Sequence, residues 1–172
     1  KGGVDKHILS MNSLNVSNIN LRSPYTVWEE NGEYVFISEN NILYAVGFEY
    51  DDSIRYGAFW LNIINRSQKK SPNDKKLQYT IICIIEEFFR VNPNILLYVC
   101  DSANSQQAMR SRLFLRWFNS YSRNESFIIK IAVINDDGED NYVAMIVQRS
   151  NSQIDEILKY YEDEIAMFTN KP

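Results

Sequence analysis

Apolar and polar positions alternate along the first third of the chain and then switch to a helical period. Residues 25–30 and 33–38 are β-rich runs on either side of Asn31-Gly32. An Asn-Gly pair between such runs predicts a two-residue hairpin, because both central residues of a type I′ turn need positive φ. In 42–50, Ile42, Tyr44, Val46, Phe48 and Tyr50 alternate with other residues, the mark of a half-buried strand. After Asp51-Asp52-Ser53, residues 55–65 supply a fourth strand. The short links predict an antiparallel meander.

The period changes at Ser71-Pro72-Asn73-Asp74. Ser71 is the expected cap, Pro72 suits a first helical position, and Asp74 sits where it can bond back. Leu77, Ile81, Ile84, Ile85 and Phe88 make the buried stripe, and Asn92-Pro93 ends the helix. Ile95–Cys100 is apolar on both faces, as a central strand should be. Its connection from the fourth strand predicts a parallel crossover. A second helix is expected over about 105–122. A hairpin of 127–134 and 141–148 follows around Asp136-Asp137-Gly138, and then a helix over about 153–168 that buries Ile154, Leu158, Tyr161, Ile165 and Phe168. The expected class is α/β with α+β-like organisation: one mixed sheet of about seven strands and three main helices. Residues 1–23, rich in Asn and Ser, are expected to form a loose polar arm, and 24–168 a single domain.

Composition narrows the functional classes. The chain has 172 residues, a net charge of −4 and an ordinary apolar share of 45%. It has no global attraction to nucleic acid or to an anionic membrane. Its 11 Tyr, 9 Phe and 3 Trp are generous; most are expected in the core, and any exposed Tyr or Trp would point to a contact surface. Cys83 and Cys100 both lie in apolar runs without metal spacing, which predicts buried thiols and a cytoplasmic protein. No stretch is long enough to span a bilayer. The start at Lys1 without Met leaves a removed leader open. His7 is the single histidine and lies in the arm, so His-based catalysis or metal binding is poorly supplied. No P-loop, GxGxxG or GxSxG occurs, and no cofactor is expected. Glu29, Glu30, Glu33, Glu49, Asp51 and Asp52 gather at strand ends, where turn chemistry explains most of them. Glu86-Glu87 reads as an exposed helix face.

One polar cluster stands out. On a wheel of the 105–122 helix, Met109, Leu113, Phe114, Trp117, Phe118 and Tyr121 share a face, and Arg110 projects into it with Gln106 one turn earlier. A buried guanidinium needs an oxygen partner, and Asp101 at the end of the preceding strand is the nearest, with Asn104 as a cap. Two readings follow: a structural Asp101–Arg110 pair, or a small-ligand or anion site built from Asp101, Gln106, Arg110 and Arg112. Arg112, Arg116 and Arg123 form a third, weaker candidate as a basic face for nucleic acid, without any accompanying recognition motif.

The residues LLYVCD (96–101), RSRLFLRWFNSYS (110–122) and EEFFRVNPN (86–94) resemble an uncharacterised bacterial family, domain-of-unknown-function family 6169, seen mainly in Bacteroidetes. The resemblance covers about residues 24–168. It implies a compact bacterial domain and transfers no reaction, cofactor or catalytic residue. The combined reading is a cytoplasmic binding or protein-interaction module without catalysis, its partner an unknown protein or a second copy of the chain. A ligand-handling protein or enzyme using the Arg110 cluster is the alternative.

Overall fold

The computed structural model describes residues 11–70, 72–100, 126–136 and 138–169. Its sheet has seven strands: β1 (Trp28–Glu30), β2 (Glu33–Ile37), β3 (Leu43–Asp51), β4 (Ala58–Asn65), β5 (Ile95–Cys100), β6 (Phe127–Asp136) and β7 (Glu139–Gln148). The described helices are α1 (Val16–Ile19), α2 (Lys75–Val91) and α3 (Ile154–Thr169). The strand order is β1-β2-β3-β4-β5-β7-β6. All pairs are antiparallel except β4–β5, where the α2 crossover makes a parallel pair. The protein therefore has the mixed α+β sheet expected of it. The expected helix over 105–122 lies outside the described residues.

Local chemistry explains the main boundaries. Asn31 and Gly32 have φ of 52° and 80°, as the type I′ turn requires. α2 starts three residues later than a Ser71 cap would place it. Its N-cap is Asp74, whose carboxylate accepts from the Lys76 and Leu77 N–H groups. That carboxylate also accepts from the Tyr25 hydroxyl at 2.6 Å. Burial first, then this bond, pushes the Tyr25 phenol up to about 12. The C-terminal hairpin is longer than expected, with pairing continuing to Asp136↔Glu139.

Two apolar layers sandwich the sheet. Phe36, Tyr44, Val46, Phe59, Leu61, Leu96 and Ile146 face α2, whose Ile81, Ile84, Ile85 and Phe88 are buried against them. Phe88 is the hub: its ring stacks on Phe48 at 4.8 Å and meets Phe59 edge-on at 5.7 Å. The alternate residues Ala58, Ile95, Leu97, Met145 and Val147 face α3 through Ile157, with Ile154, Leu158 and Tyr161 around it. Ile157 had not been placed in the predicted stripe. The Ile165 and Phe168 side chains lie outside the described residues. Cys83 is a buried thiol as expected, while the Cys100 side chain is not described.

The segment before Pro24 corrects an expectation. Residues 11–23 are docked, not loose; 1–10 lie outside the described residues. Leu14 and Ile19 are buried in the α2-side core. Asn12 exchanges bonds with Asn92, and the Leu14 N–H donates to the Tyr34 hydroxyl at 2.9 Å. Asparagine-rich composition reads as disorder, yet here the amides serve as backbone anchors.

Gly57 (φ +75°) ends the β3–β4 connection, and a Cβ there would meet the Asn94 amide at 2.7 Å. Gly32 (φ +80°) has nothing within 4 Å of such a Cβ. Gly57→Ala should therefore cost about 1–3 kcal/mol and Gly32→Ala about 1 kcal/mol or less. Urea unfolding checks the order; Gly32→Ala as the more damaging change would contradict it.

Candidate functional site

The residues singled out by sequence, Asp101, Gln106, Arg110 and Arg112, together with Asn104, Arg116 and Arg123, lie outside the described residues. Two other places on the described surface gather functional groups.

The first is a cleft of about 210 Å³ between α1 and α2, lined by Asn18, Ile19, Arg22, Cys83, Glu86, Glu87 and Arg90. Glu87, expected on an exposed face, has a side chain only 3% exposed. It accepts from the Asn15 N–H (3.4 Å), the Asn18 amide (2.5 Å) and the Arg90 guanidinium (2.6 to 3.0 Å). Burial pushes the Glu87 carboxyl up, but the bonds from Arg90, Asn18 and Asn15 outweigh it and hold the group below its ordinary value. Arg22 pairs with Glu86 at 2.7 Å. The Cys83 thiol is pushed up to about 11, chiefly by burial, so it stays protonated and unreactive near neutral pH. With its carboxylates engaged and its thiol protonated, the cleft offers neither a free base nor a nucleophile. Its chemistry is that of a clasp: an anchored carboxylate holds the N-terminal segment onto α2. Asn15 marks this in the sequence as a cap for α1, since its side chain accepts from the Asn18 N–H.

The second is the sheet face opposite α2 across β1–β4. Strand register aligns Trp28, Val35, Ala45 and Ile64 in one row across four strands. Ile37 and Leu43 form a second pair beside it. Val35 and Ala45 are fully buried, but Trp28 is 37% exposed and Ile37 and Ile64 are each 48% exposed. Among the described residues, α3 covers this face from β4 onward, through Ala58, Trp60, Ile95, Leu97, Met145 and Val147. The row thus ends in large apolar side chains in water, the mark of a contact surface.

Carboxylates flank that row on the same face. Glu30 stands directly opposite Glu33 across the β1–β2 hairpin, an unfavourable like-charge pairing. The Glu33 carboxylate lies 3.6 Å from where a Gly47 Cβ would stand. Arg66, at the end of β4, reaches Glu33 at 2.5 Å, so that ion pair passes over β3. Glu49 pairs in register with Trp60. Among the described residues, neither Glu30 nor Glu49 has a cationic partner. Asp51 accepts from the Ser53 hydroxyl and the Trp60 indole, which hold it below its ordinary value. Turn chemistry accounts for Asp51, as expected, but not for Glu30, Glu33 and Glu49.

A family model described as a family of unknown function, DUF6169, matches residues 73–163, more than half of the chain. The chain belongs to this family. The DUF6169 segment is shorter than the 24–168 of the resemblance. It takes in α2, β5, β6, β7 and much of α3, and leaves β1–β4 and α1 outside. The DUF6169 match thus splits the α1–α2 cleft and does not include the open face. No curated protein matches the chain. Among the described residues, no group of three or more His, Cys, Asp or Glu could hold a metal ion. No described helix is long and apolar enough to cross a membrane.

The clasp makes a test. Glu87→Gln should destabilise by about 1–3 kcal/mol at neutral pH, since the amide has one acceptor oxygen where Asn15 and Asn18 use two, and it loses the charge facing Arg90. Because the folded carboxyl titrates below the unfolded one, its contribution is complete above the ordinary value of 4.5 and is lost as pH falls through the folded value. The difference in urea midpoint between wild type and Glu87→Gln should therefore be full near neutral pH and shrink on acidification. A difference that is the same in acid as at neutral pH would contradict this.

Proposed function

We propose that the protein is a cytoplasmic, non-catalytic interaction module that receives another polypeptide on the open face of β1–β4. The observation that carries this reading is the joint exposure of Trp28, Ile37 and Ile64 on one sheet face. Each isoleucine, about half exposed, forgoes roughly half of the 1.5–3 kcal/mol of full burial, which a partner would recover. The strands beneath are held rigidly by the Phe36, Tyr44 and Phe59 layer on the other side. A preorganised surface of this kind binds without first ordering itself. The saturated carboxylate and protonated thiol of the α1–α2 cleft favour this reading over catalysis there.

A photo-crosslinking residue at position 64, with one at exposed position 159 on α3 as control, tests the reading in cells that make the protein. A discrete adduct with another polypeptide from position 64 only, lost on Ile37→Asp, is the expected result. Equal adducts from both positions, or none from either, would overturn it.

A further inference from the structure

The cleft between α1 and α2 is also the seam along which the N-terminal segment can part from the fold. We infer that residues 11–19 are a releasable strap, which swings off α2 about Asn20 while α2 and the sheet stay folded, with Glu87 as the latch that sets how often it opens. Opening uncovers the Cys83 thiol, which the closed strap keeps from reagents in solution.

Three observations carry this. Attachment comes first. Among the described residues, the backbone–backbone bonds of the strap stay within residues 15–23, and the strap is no part of the sheet. Its links to distant residues all run through side chains. The Asn12 N–H donates to the Asn92 amide oxygen, the Asn12 amide to the Val91 carbonyl and the Leu14 N–H to the Tyr34 hydroxyl. The Asn15 N–H and the Asn18 amide donate to Glu87. Lifting the strap therefore breaks no bond of a strand ladder, and such a unit opens below the cost of global unfolding.

The pivot comes second. The Asn20 amide donates to the Val27 carbonyl and accepts from the Val27 N–H, each at 2.8 Å. Beyond it, the Tyr25 N–H donates to Thr80 and the Tyr25 hydroxyl to Asp74. Residues 20–27 thus stay on α2 when 11–19 leave, and the bend falls at the end of α1.

The third observation is the state of the groups left behind. Two of the donors to Glu87 belong to the strap, but Arg90 belongs to α2 itself. Arg90 is 54% exposed, so Glu87 keeps its ion pair and meets water once the strap lifts. Asn92 likewise keeps its bond to the Phe88 carbonyl at 3.1 Å. Neither is stranded in the interior, which is where a lost partner costs most. Burial of Leu14 and Ile19 resists the opening, yet the seam beside Ile19 still holds the 210 Å³ cleft, a break in the close packing found elsewhere in protein interiors. Cys83 lines that cleft with Asn18 and Ile19 and is 5% exposed. It is a native reporter of the strap.

The test is N-ethylmaleimide labelling of the full chain at about pH 8, where an opened thiol is partly ionised. Mass measurement of the tryptic peptide 77–90 reads Cys83 apart from Cys100. Cys83 should label slowly, at a rate that does not change with urea below the unfolding transition, because the strap exposes little surface. Glu87→Gln should raise that rate roughly tenfold and Asn18→Ala by less. Gly57→Ala, which weakens the fold at the β3–β4 connection and leaves the strap's bonds in place, should not change it. If Glu87→Gln fails to fold, Asn18→Ala decides alone. The inference is overturned if Cys83 labels only as the whole chain unfolds in urea, or if Gly57→Ala speeds labelling as much as Glu87→Gln. It is also overturned if neither Glu87→Gln nor Asn18→Ala changes the rate, or if Cys83 in the native protein labels as fast as in the unfolded chain.

Discussion

The width of the sheet is the constraint on which the rest depends. Seven strands have six gaps of about 4.8 Å and so span about 29 Å, whereas one helix with its side chains covers about 10 Å. A sheet this wide with apolar residues on both faces needs more than one element per face. On the α2 side the need is met. The N-terminal segment lies beside α2 and adds Leu14, Ile19, Tyr25 and Val27 to the core. On the opposite side, among the described residues, α3 covers β4, β5, β7 and part of β6, and on the meander Val35 and Ala45 are buried while Trp28, Ile37 and Ile64 are partly exposed. Among the described residues, the candidate contact surface is thus the part of this layer that α3 does not reach.

Closing the α2 side takes polar work. Residues 11–27 add apolar side chains to the core, and side-chain acceptors fix their path. Asn92 holds Asn12 at the C-terminal end of α2, Glu87 holds Asn15 and Asn18, and Asp74 holds Tyr25 at the N-terminal end. The segment therefore runs antiparallel to α2. Glu87 is a charged anchor as enclosed as Asn92, each 3% exposed, and breaking a buried charged cluster costs more than breaking a surface pair. The same engagement that makes Glu87 a good clasp leaves it no free lone pair for chemistry.

Much of the fold was legible because local signals and tertiary packing agree. Asn31-Gly32 specified the first hairpin, alternation from Ile42 to Tyr50 specified β3, and the stripe from Leu77 to Phe88 specified α2. Boundaries slipped where two residues competed for one role, as when Asp74 instead of Ser71 became the cap because Tyr25 and Asp74 meet across the chain. The docked N-terminal segment was not legible. Its anchors are Asn side chains whose partners lie about 70 to 80 residues away, and no local period records them. Glu87 was misread for the same reason, since its neighbour Glu86 is a surface residue and nothing in the sequence separates them. The open face was half legible: the carboxylates and aromatics were visible, but only strand register puts Trp28, Val35, Ala45 and Ile64 in one row. The Arg110 cluster, which the sequence offered as a structural pair or an alternative ligand site, lies outside the described residues.

Carbene footprinting of the isolated protein measures the central claim directly. If α3 leaves the meander uncovered, Trp28, Ile37 and Ile64 label heavily while Met145 and Ile157, beneath α3, stay protected. Labelling of Trp28, Ile37 and Ile64 as weak as that of Met145 would mean that the face is closed within the chain, and the account would be wrong.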